Sequence, residues 1–344
     1  MPSLRSRLVR AVIVERLLRR LSELGARDLV AYRRKEEALA RYQVILPRGA
    51  RIERVSVDGL PAEWVRARRV DPADTRTVLY FHGGGYVSCS CSTHRDLAVR
   101  ISAACGVRVL LVDYRLAPEH RYPAAFEDGL RSFRWLREKG VAASEIAIGG
   151  DSAGGGLALA TLLALRDGGE ELPAAAFLFS PWLSQVLDGE SYTTRAEADP
   201  FITRQFTLAC AEAFLAGSNP RELVLFEKDL RGLPSMLVHV GEDEILLSDS
   251  VRLVENARAA GVEASLEIWN GMWHVFQSFA MIVPEARLSL ARIGGFVREK
   301  LGPSQVARQT QSHPLRTPSS ASFGGCRARV SASAWGCSPA RARI

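Results

Sequence analysis

Ser152 stands in Gly150-Asp151-Ser152-Ala153-Gly154. Upstream is a short apolar run carrying Ile146 and Ile148, and downstream is Leu157-Ala158-Leu159-Ala160-Thr161-Leu162-Leu163-Ala164-Leu165, a strong helix former. A serine so placed sits on a tight strand-to-helix bend, its hydroxyl lifted over the C-terminal edge of a sheet. Glycines two residues to either side are required because side chains there collide as the chain doubles back. The helix N-terminus points N–H groups at any oxyanion that forms when the serine attacks a carbonyl. A structural or phosphate-cradling turn has a similar look, but no Lys-Ser/Thr follows at P-loop spacing and the dinucleotide-type glycine pattern is out of register. This segment alone leaves nucleophile and plain turn as alternatives.

Other residues separate them. His82-Gly83-Gly84-Gly85-Tyr86 directly follows the apolar run Thr77-Val78-Leu79-Tyr80-Phe81. Three successive glycines let the backbone approach a reacting carbonyl, so the N–H groups of Gly83 and Gly84, with that of Ala153, are the expected oxyanion donors. The serine needs a base, and in the chain order serine, acid, histidine only His274 and His313 come late enough. His313 falls in a low-complexity tail, which leaves His274, in Gly271-Met272-Trp273-His274, as the general base. The orienting acid should follow the run Met236–Val240, where Glu242, Asp243, Glu244 and Asp249 crowd together. Position selects Asp243, with its neighbours expected as solvated or capping residues and Asp249 well placed near the start of the next helix. No metal or cofactor enters such chemistry.

These residues need a scaffold, and the pattern supplies one. An amphipathic helix is predicted over residues 8–25, with Val9, Ile13, Leu17, Leu21 and Leu24 on one face and arginines on the other. A more polar helix over 27–42 follows. We expect a packed helix with a solvated arginine face rather than a membrane-surface helix, because Glu15 and Glu23 dilute the positive charge. Period two then takes over across Ile52–Val65, interrupted by Asp58-Gly59, which predicts a hairpin. Strands over 77–81, 107–112, 145–148, 174–179, 236–240 and 265–269 alternate with helices over 93–105, 125–138, 157–165, 248–260 and 284–301. Such alternation implies a mostly parallel sheet with helices on both faces. Residues 184–231 break it with a mainly helical insertion around Phe206–Leu215. The insertion and the N-terminal helices should form a lid over the sheet edge where ligands bind.

Composition sets the outer limits. The 344 residues are 47% apolar, which suits a globular protein, and the net charge is +7. Six arginines and no acid lie in Pro303–Ile344, and removing them leaves +1 for the rest, so the basic balance belongs to the tail and is no nucleic-acid footprint. That tail, rich in Ser, Arg, Ala, Pro and Gly, reads as a disordered extension. The six cysteines, at 89, 91, 105, 210, 326 and 337, show no zinc or CxxC spacing and are expected as free thiols in a cytoplasmic protein. The N-terminus lacks an uninterrupted apolar signal core, and no run is long enough for a transmembrane helix.

The motifs together carry a resemblance. Phe81-His82-Gly83-Gly84-Gly85-Tyr86, Asp113-Tyr114-Arg115-Leu116-Ala117-Pro118-Glu119-His120, Pro123-Ala124-Ala125, Gly150-Asp151-Ser152-Ala153-Gly154-Gly155, Ser180-Pro181-Trp182 and Gly241-x-Asp243 resemble the bacterial hormone-sensitive-lipase-like esterases, family IV of the α/β-hydrolases. The resemblance covers about residues 50–300. It implies an α/β-hydrolase fold with a helical cap: cap helices over 1–48, a catalytic domain over 49–302 with the insertion at 184–231, and the tail at 303–344 outside the family pattern. It implies carboxylic ester hydrolysis on short to medium acyl chains by a Ser152–His274–Asp243 triad, and often a homodimer. An amidase or lactonase could use the same residues, and some relatives are ligand receptors lacking the full triad. His82 is expected to hold the glycine loop, Asp151 to support the bend, and Arg115–His120 to form a bracing turn.

Overall fold

The computed structural model describes residues 1–43 and 46–303. The tail from 304 onward, with His313, Cys326 and Cys337, lies outside the described residues. The chain opens with α1 (Leu4–Val9), a π-helical stretch (Arg10–Leu18), α2 (Arg19–Gly25) and α3 (Leu29–Gln43). Strands β1 (Arg51–Val57) and β2 (Leu60–Arg66) form the expected hairpin. Its turn residues Asp58 and Gly59 take φ of 48° and 92°, as a tight two-residue hairpin loop requires. Alternation follows through β3 (Thr77–Phe81), α4 (Cys91–Cys105), β4 (Arg108–Val112), α5 (Ala124–Glu138), β5 (Ile146–Asp151), α6 (Ala153–Asp167) and β6 (Ala175–Phe179). The insertion carries α7 (Ser191–Thr194) and α8 (Arg204–Leu215). The chain then resumes with β7 (Met236–Gly241), α9 (Leu247–Ala259), β8 (Ala264–Trp269) and α10 (Pro284–Leu301).

The eight strands form one sheet in the order β1-β2-β4-β3-β5-β6-β7-β8. Only β2 runs antiparallel to its neighbours; β4 to β8 and β3 are parallel. Every residue of β3, β5 and β6 is buried, because helices cover both faces. Alternation along each strand divides the core in two. Leu79, Phe81, Ile148 and Leu178 face Phe133 and Leu157 on one side. Val78, Tyr80, Ala147 and Phe177 face Leu97, Ile101, Ile293 and Val297 on the other. Each Val, Leu, Ile or Phe side chain among them, fully buried, stabilises the fold by about 1.5–3 kcal/mol.

The N-terminal helices lie against the insertion. Ser22 Oγ accepts the Thr203 N–H at 3.2 Å, and the Tyr32 and Phe206 rings stand 4.8 Å apart. Gly25 permits this approach, since a Cβ there would lie 2.5 Å from Phe206 Cε2. One expectation shifts. Val9 and Leu21 of the predicted apolar stripe are buried, but Leu17 is 42% exposed, and Val14, outside the stripe, is fully buried. The π-helical stretch Arg10–Leu18 explains the change, because its wider turn shifts the residues within it, Val14 and Leu17 among them, out of the 3.6-residue period. No helix among the described residues is long and apolar enough to cross a membrane.

Candidate active site

β5 ends at Asp151 and α6 begins at Ala153, so Ser152 alone makes the bend. Its backbone sits at φ 53°, ψ −121°, a region costly for a residue with a side chain. Three backbone bonds hold it there. Its N–H donates to Phe179 O at 2.9 Å, and its carbonyl accepts from Trp182 N at 2.9 Å and Gly156 N at 3.1 Å. The flanking glycines are sterically required: a Cβ at Gly150 would meet Gly154 O at 2.3 Å, and one at Gly154 would meet Phe81 O at 2.1 Å.

The glycine loop leaves β3 beside this bend. Gly84 has φ of 106°, and a Cβ there would lie 2.3 Å from Ser88 O. Among the described residues the N–H groups of Gly83, Gly84 and Ala153 donate to no protein acceptor. His82 is buried beneath the loop, its Nδ1 2.7 Å from Gly83 O and its ring stacked on Tyr114 at 4.4 Å. Burial and the nearby His94 charge push its pKa down to about 4, so it stays neutral and structural. Tyr114 Oη donates to His82 O at 2.8 Å, and Ala117 N donates to Tyr86 O at 2.9 Å. The Arg115–His120 stretch thus braces the loop. Asp151 is buried, accepting from Tyr80 Oη at 2.8 Å and bonded to His94 Nε2 at 3.3 Å.

The loops after β7 and β8 bring His274 to a carboxylate, and the sequence selected the wrong one. His274 Nδ1 lies 2.8 Å from Glu244 Oε2, and both residues are buried. Asp243 points the other way, into an ion pair with Arg10 of the π-helical stretch. Arg10 also donates to Ala198 O at 2.8 Å, so it ties the loop after β7 to the insertion, and Asp243 does not orient the histidine. Glu244 is fixed at its other oxygen, which accepts from Gly241 N at 2.5 Å and Ser180 Oγ at 2.7 Å. Ser180 Oγ also accepts the Val275 N–H at 3.2 Å, joining the acid loop to the histidine loop. Val275 sits at φ 49°, a genuine outlier for a β-branched residue and a mark of stored strain beside the histidine. Asp249 is neither solvated nor a cap: it is fully buried, and accepts the N–H groups of Leu183 at 2.9 Å and Ser184 at 3.1 Å.

Burial opposes a charge on His274, but the hydrogen bond and charge of Glu244 outweigh it, so its pKa lies above the ordinary 6.5. Its Nε2 makes no hydrogen bond among the described residues, and His274 and Ser152 line the same cavity. Ser152 and His274 form no direct hydrogen bond with each other; nucleophile–base hydrogen bonds of this kind often tighten only in a substrate complex. Sequence reasoning also missed Asp199. Its Oδ1 accepts Phe201 N at 2.8 Å and its Oδ2 accepts Ile245 N at 3.0 Å, and burial pushes its pKa up to about 7. It pins the insertion to the acid loop. Nothing in its setting, Ala198-Asp199-Pro200, marks it out in the sequence.

The cavity has a volume of about 490 Å³, within the usual range for small-molecule sites. Ser152, His274 and Gly84 line it from the sheet edge, Leu18 and Leu21 from the N-terminal helices, and Phe206 from the insertion.

Comparisons with known proteins agree with this geometry. Residues 78–278 match a family model described as an alpha/beta hydrolase fold. The chain is 39% identical over 275 residues to an acetyl-hydrolase of Streptomyces hygroscopicus, covering 79% of this chain and 89% of that one. It is 38% identical to the esterase LipU of Mycobacterium tuberculosis, over 76% of this chain and 91% of that one. A crystal structure of an esterase from the bacterial hormone-sensitive lipase family superposes with a TM-score of 0.77 at 43% identity, covering 83% of this chain and 98% of its own. On a family match spanning more than half its length, and on relatives and a solved structure this similar, the chain belongs to the α/β-hydrolases, in their hormone-sensitive-lipase-like branch of esterases.

Proposed function

We propose that this protein hydrolyses carboxylic esters of short to medium acyl length through an acyl-enzyme on Ser152. One observation carries the assignment: Glu244 holds His274 by Nδ1, leaving Nε2 without a partner among the described residues, and His274 lines the same cavity as Ser152. His274 Nε2 takes the Ser152 proton as Oγ attacks the ester carbonyl. The N–H groups of Gly83, Gly84 and Ala153 hold the resulting oxyanion, each donor contributing on the order of 10²–10³ in turnover. The imidazolium then protonates the departing alcohol. Glu244 fixes the tautomer and stabilises the charged ring without taking the proton. Water, deprotonated by the same nitrogen, cleaves the acyl-enzyme and returns the proton to Ser152.

The cavity volume of about 490 Å³ supports acyl chains of modest length under a cap made by residues 1–48 and 184–231. The four cysteines of the described residues are free thiols, three of them buried, which supports a cytoplasmic setting. The test is hydrolysis of p-nitrophenyl butyrate. Turnover with a burst of nitrophenol, lost in a folded Ser152→Ala variant, is the expected result; a variant that retains turnover overturns the assignment.

A further inference from the structure

The cavity holds a second polar feature, where α3 crosses the segment that follows the glycine loop. Glu36 lines the cavity from α3. Its carboxylate accepts Tyr32 Oη–H at 2.7 Å and the Cys89 S–H at 3.3 Å. Both donors are neutral. The other charged groups on the cavity wall are paired: Asp96 with Arg100 at 2.6 Å, Asp151 with His94 at 3.3 Å, and His274 with Glu244 at 2.8 Å. Among the described residues Glu36 has no cation at ion-pair distance. Its neighbour in sequence behaves differently, because Glu37 turns away to accept from Ser90 and Ser92 at 2.7 and 2.9 Å.

A carboxylate facing a largely apolar cavity is costly unless a charge compensates it. Burial accordingly pushes the Glu36 carboxyl up, against the hydrogen bonds from Tyr32, Ser88 and Cys89 and the more distant charge of His94, which is itself engaged by Asp151. Glu36 cannot easily swing away, since Tyr32 is buried and packed on Phe206. Three neutral donors, Tyr32, Ser88 and Cys89, occupy only part of the acceptor capacity of a carboxylate, and Glu36 lines the cavity. A cation arriving with the substrate would supply the missing charge.

We infer that Glu36 anchors a subsite for a cationic group, and that the esters this enzyme prefers carry an alkylammonium on their acyl or alcohol part. The inference rests on the ester-hydrolase reading of the same cavity. Two matched substrate pairs test it and locate the subsite. On the acyl side, p-nitrophenyl 6-aminohexanoate is compared with p-nitrophenyl heptanoate; on the alcohol side, butyrylcholine is compared with 3,3-dimethylbutyl butyrate. The kcat/KM ratio of charged to neutral ester is measured for the wild type and for Glu36→Gln. In one pair the ratio should fall roughly tenfold in the variant, the change expected for one lost charge-assisted contact. Ratios that are the same in both proteins for both pairs overturn the subsite while leaving the ester reading intact. A wild type that hydrolyses neither neutral ester overturns the ester reading, and the subsite with it. If Glu36→Gln does not fold, Glu36→Asp, which withdraws the carboxylate by one methylene, is read the same way; its ratio should fall in the same direction by a smaller factor, and an unchanged ratio again overturns the subsite.

Discussion

Two buried imidazole–carboxylate pairs flank the Ser152 bend, and they differ in one nitrogen. His94 meets Asp151 through Nε2 at 3.3 Å and Thr93 Oγ1 through Nδ1 at 2.7 Å. His274 meets Glu244 through Nδ1 at 2.8 Å and has no partner for Nε2 among the described residues. Burial opposes charge on both rings, and in both the neighbouring carboxylate raises the pKa. Burial, carboxylate and pKa direction therefore do not distinguish the histidine proposed as the base from a structural one. The distinguishing feature is a second ring nitrogen left for substrate. With both nitrogens engaged, His94 clamps α4 to Asp151, the residue before Ser152.

The comparison breaks most readily at the two rings. His274→Ala should lower kcat for p-nitrophenyl butyrate by about 10⁵–10⁶-fold, the usual result of losing the base from a serine triad. His94→Gln should keep kcat within about tenfold of the wild type, as expected for a positioning residue rather than a reacting one. Comparable losses in the two variants would erase the distinction. At the carboxylates, Glu244→Gln should cost about 10⁴ in kcat, the cost of a wrong tautomer. Asp243→Asn removes only a partly exposed tie to Arg10, so its loss should stay within about tenfold, since such ion pairs contribute little. The reverse ranking would return the orienting role to Asp243.

That neighbouring pair also marks how far the sequence could be read. The strand–helix alternation was legible because fully buried parallel strands and amphipathic helices leave strong periodic signals. β3 and α10 have the bounds that the pattern predicts. The serine bend was legible because only glycine fits at 150 and 154, where a Cβ would overlap backbone oxygens. The acid was not. Asp243 and Glu244 are adjacent, and which of them turns inward depends on how the chain leaves β7. Two long-range contacts decide this: the Asp243 N–H donates to Met272 O at 3.0 Å, and Glu244 accepts from Ser180. Neither contact leaves a local trace. The π-helical stretch was hidden for a similar reason, since a widened turn preserves composition while shifting register.

A smaller effect should appear in the pH dependence. A base must be neutral to accept the serine proton, and His274 has a pKa above 6.5. The acid limb of kcat/KM should therefore lie above the ordinary histidine range, with activity falling as pH drops through it. Glu244→Gln removes the group that raises this pKa and should move the limb to lower pH. His94→Gln should leave the limb in place. A limb that moves with His94 but not with Glu244 would assign the titration to the wrong pair.

The smallest effect on catalysis accompanies a measurable one on stability. His94→Gln leaves Asp151 buried with Tyr80 Oη as its remaining side-chain donor. Losing one partner of a buried pair costs about 3–5 kcal/mol. The 3.3 Å contact is long and Tyr80 remains, so about 2–3 kcal/mol is the expected loss here. Its pH dependence has a definite sign. His94 has a folded-state pKa raised above 6.5, so its contribution is complete below that value and declines as pH rises through the folded pKa. The Asp151 carboxyl is held below its usual 3.8, and the stability linked to it is lost only under more acidic conditions. Urea midpoints of wild type and His94→Gln should therefore differ most below pH 6.5 and draw together as pH rises above it. A gap that widens with pH would mean that His94 is neutral in the folded protein, and its bond to Asp151 would then have to be an uncharged N–H donation with no electrostatic share in holding the bend.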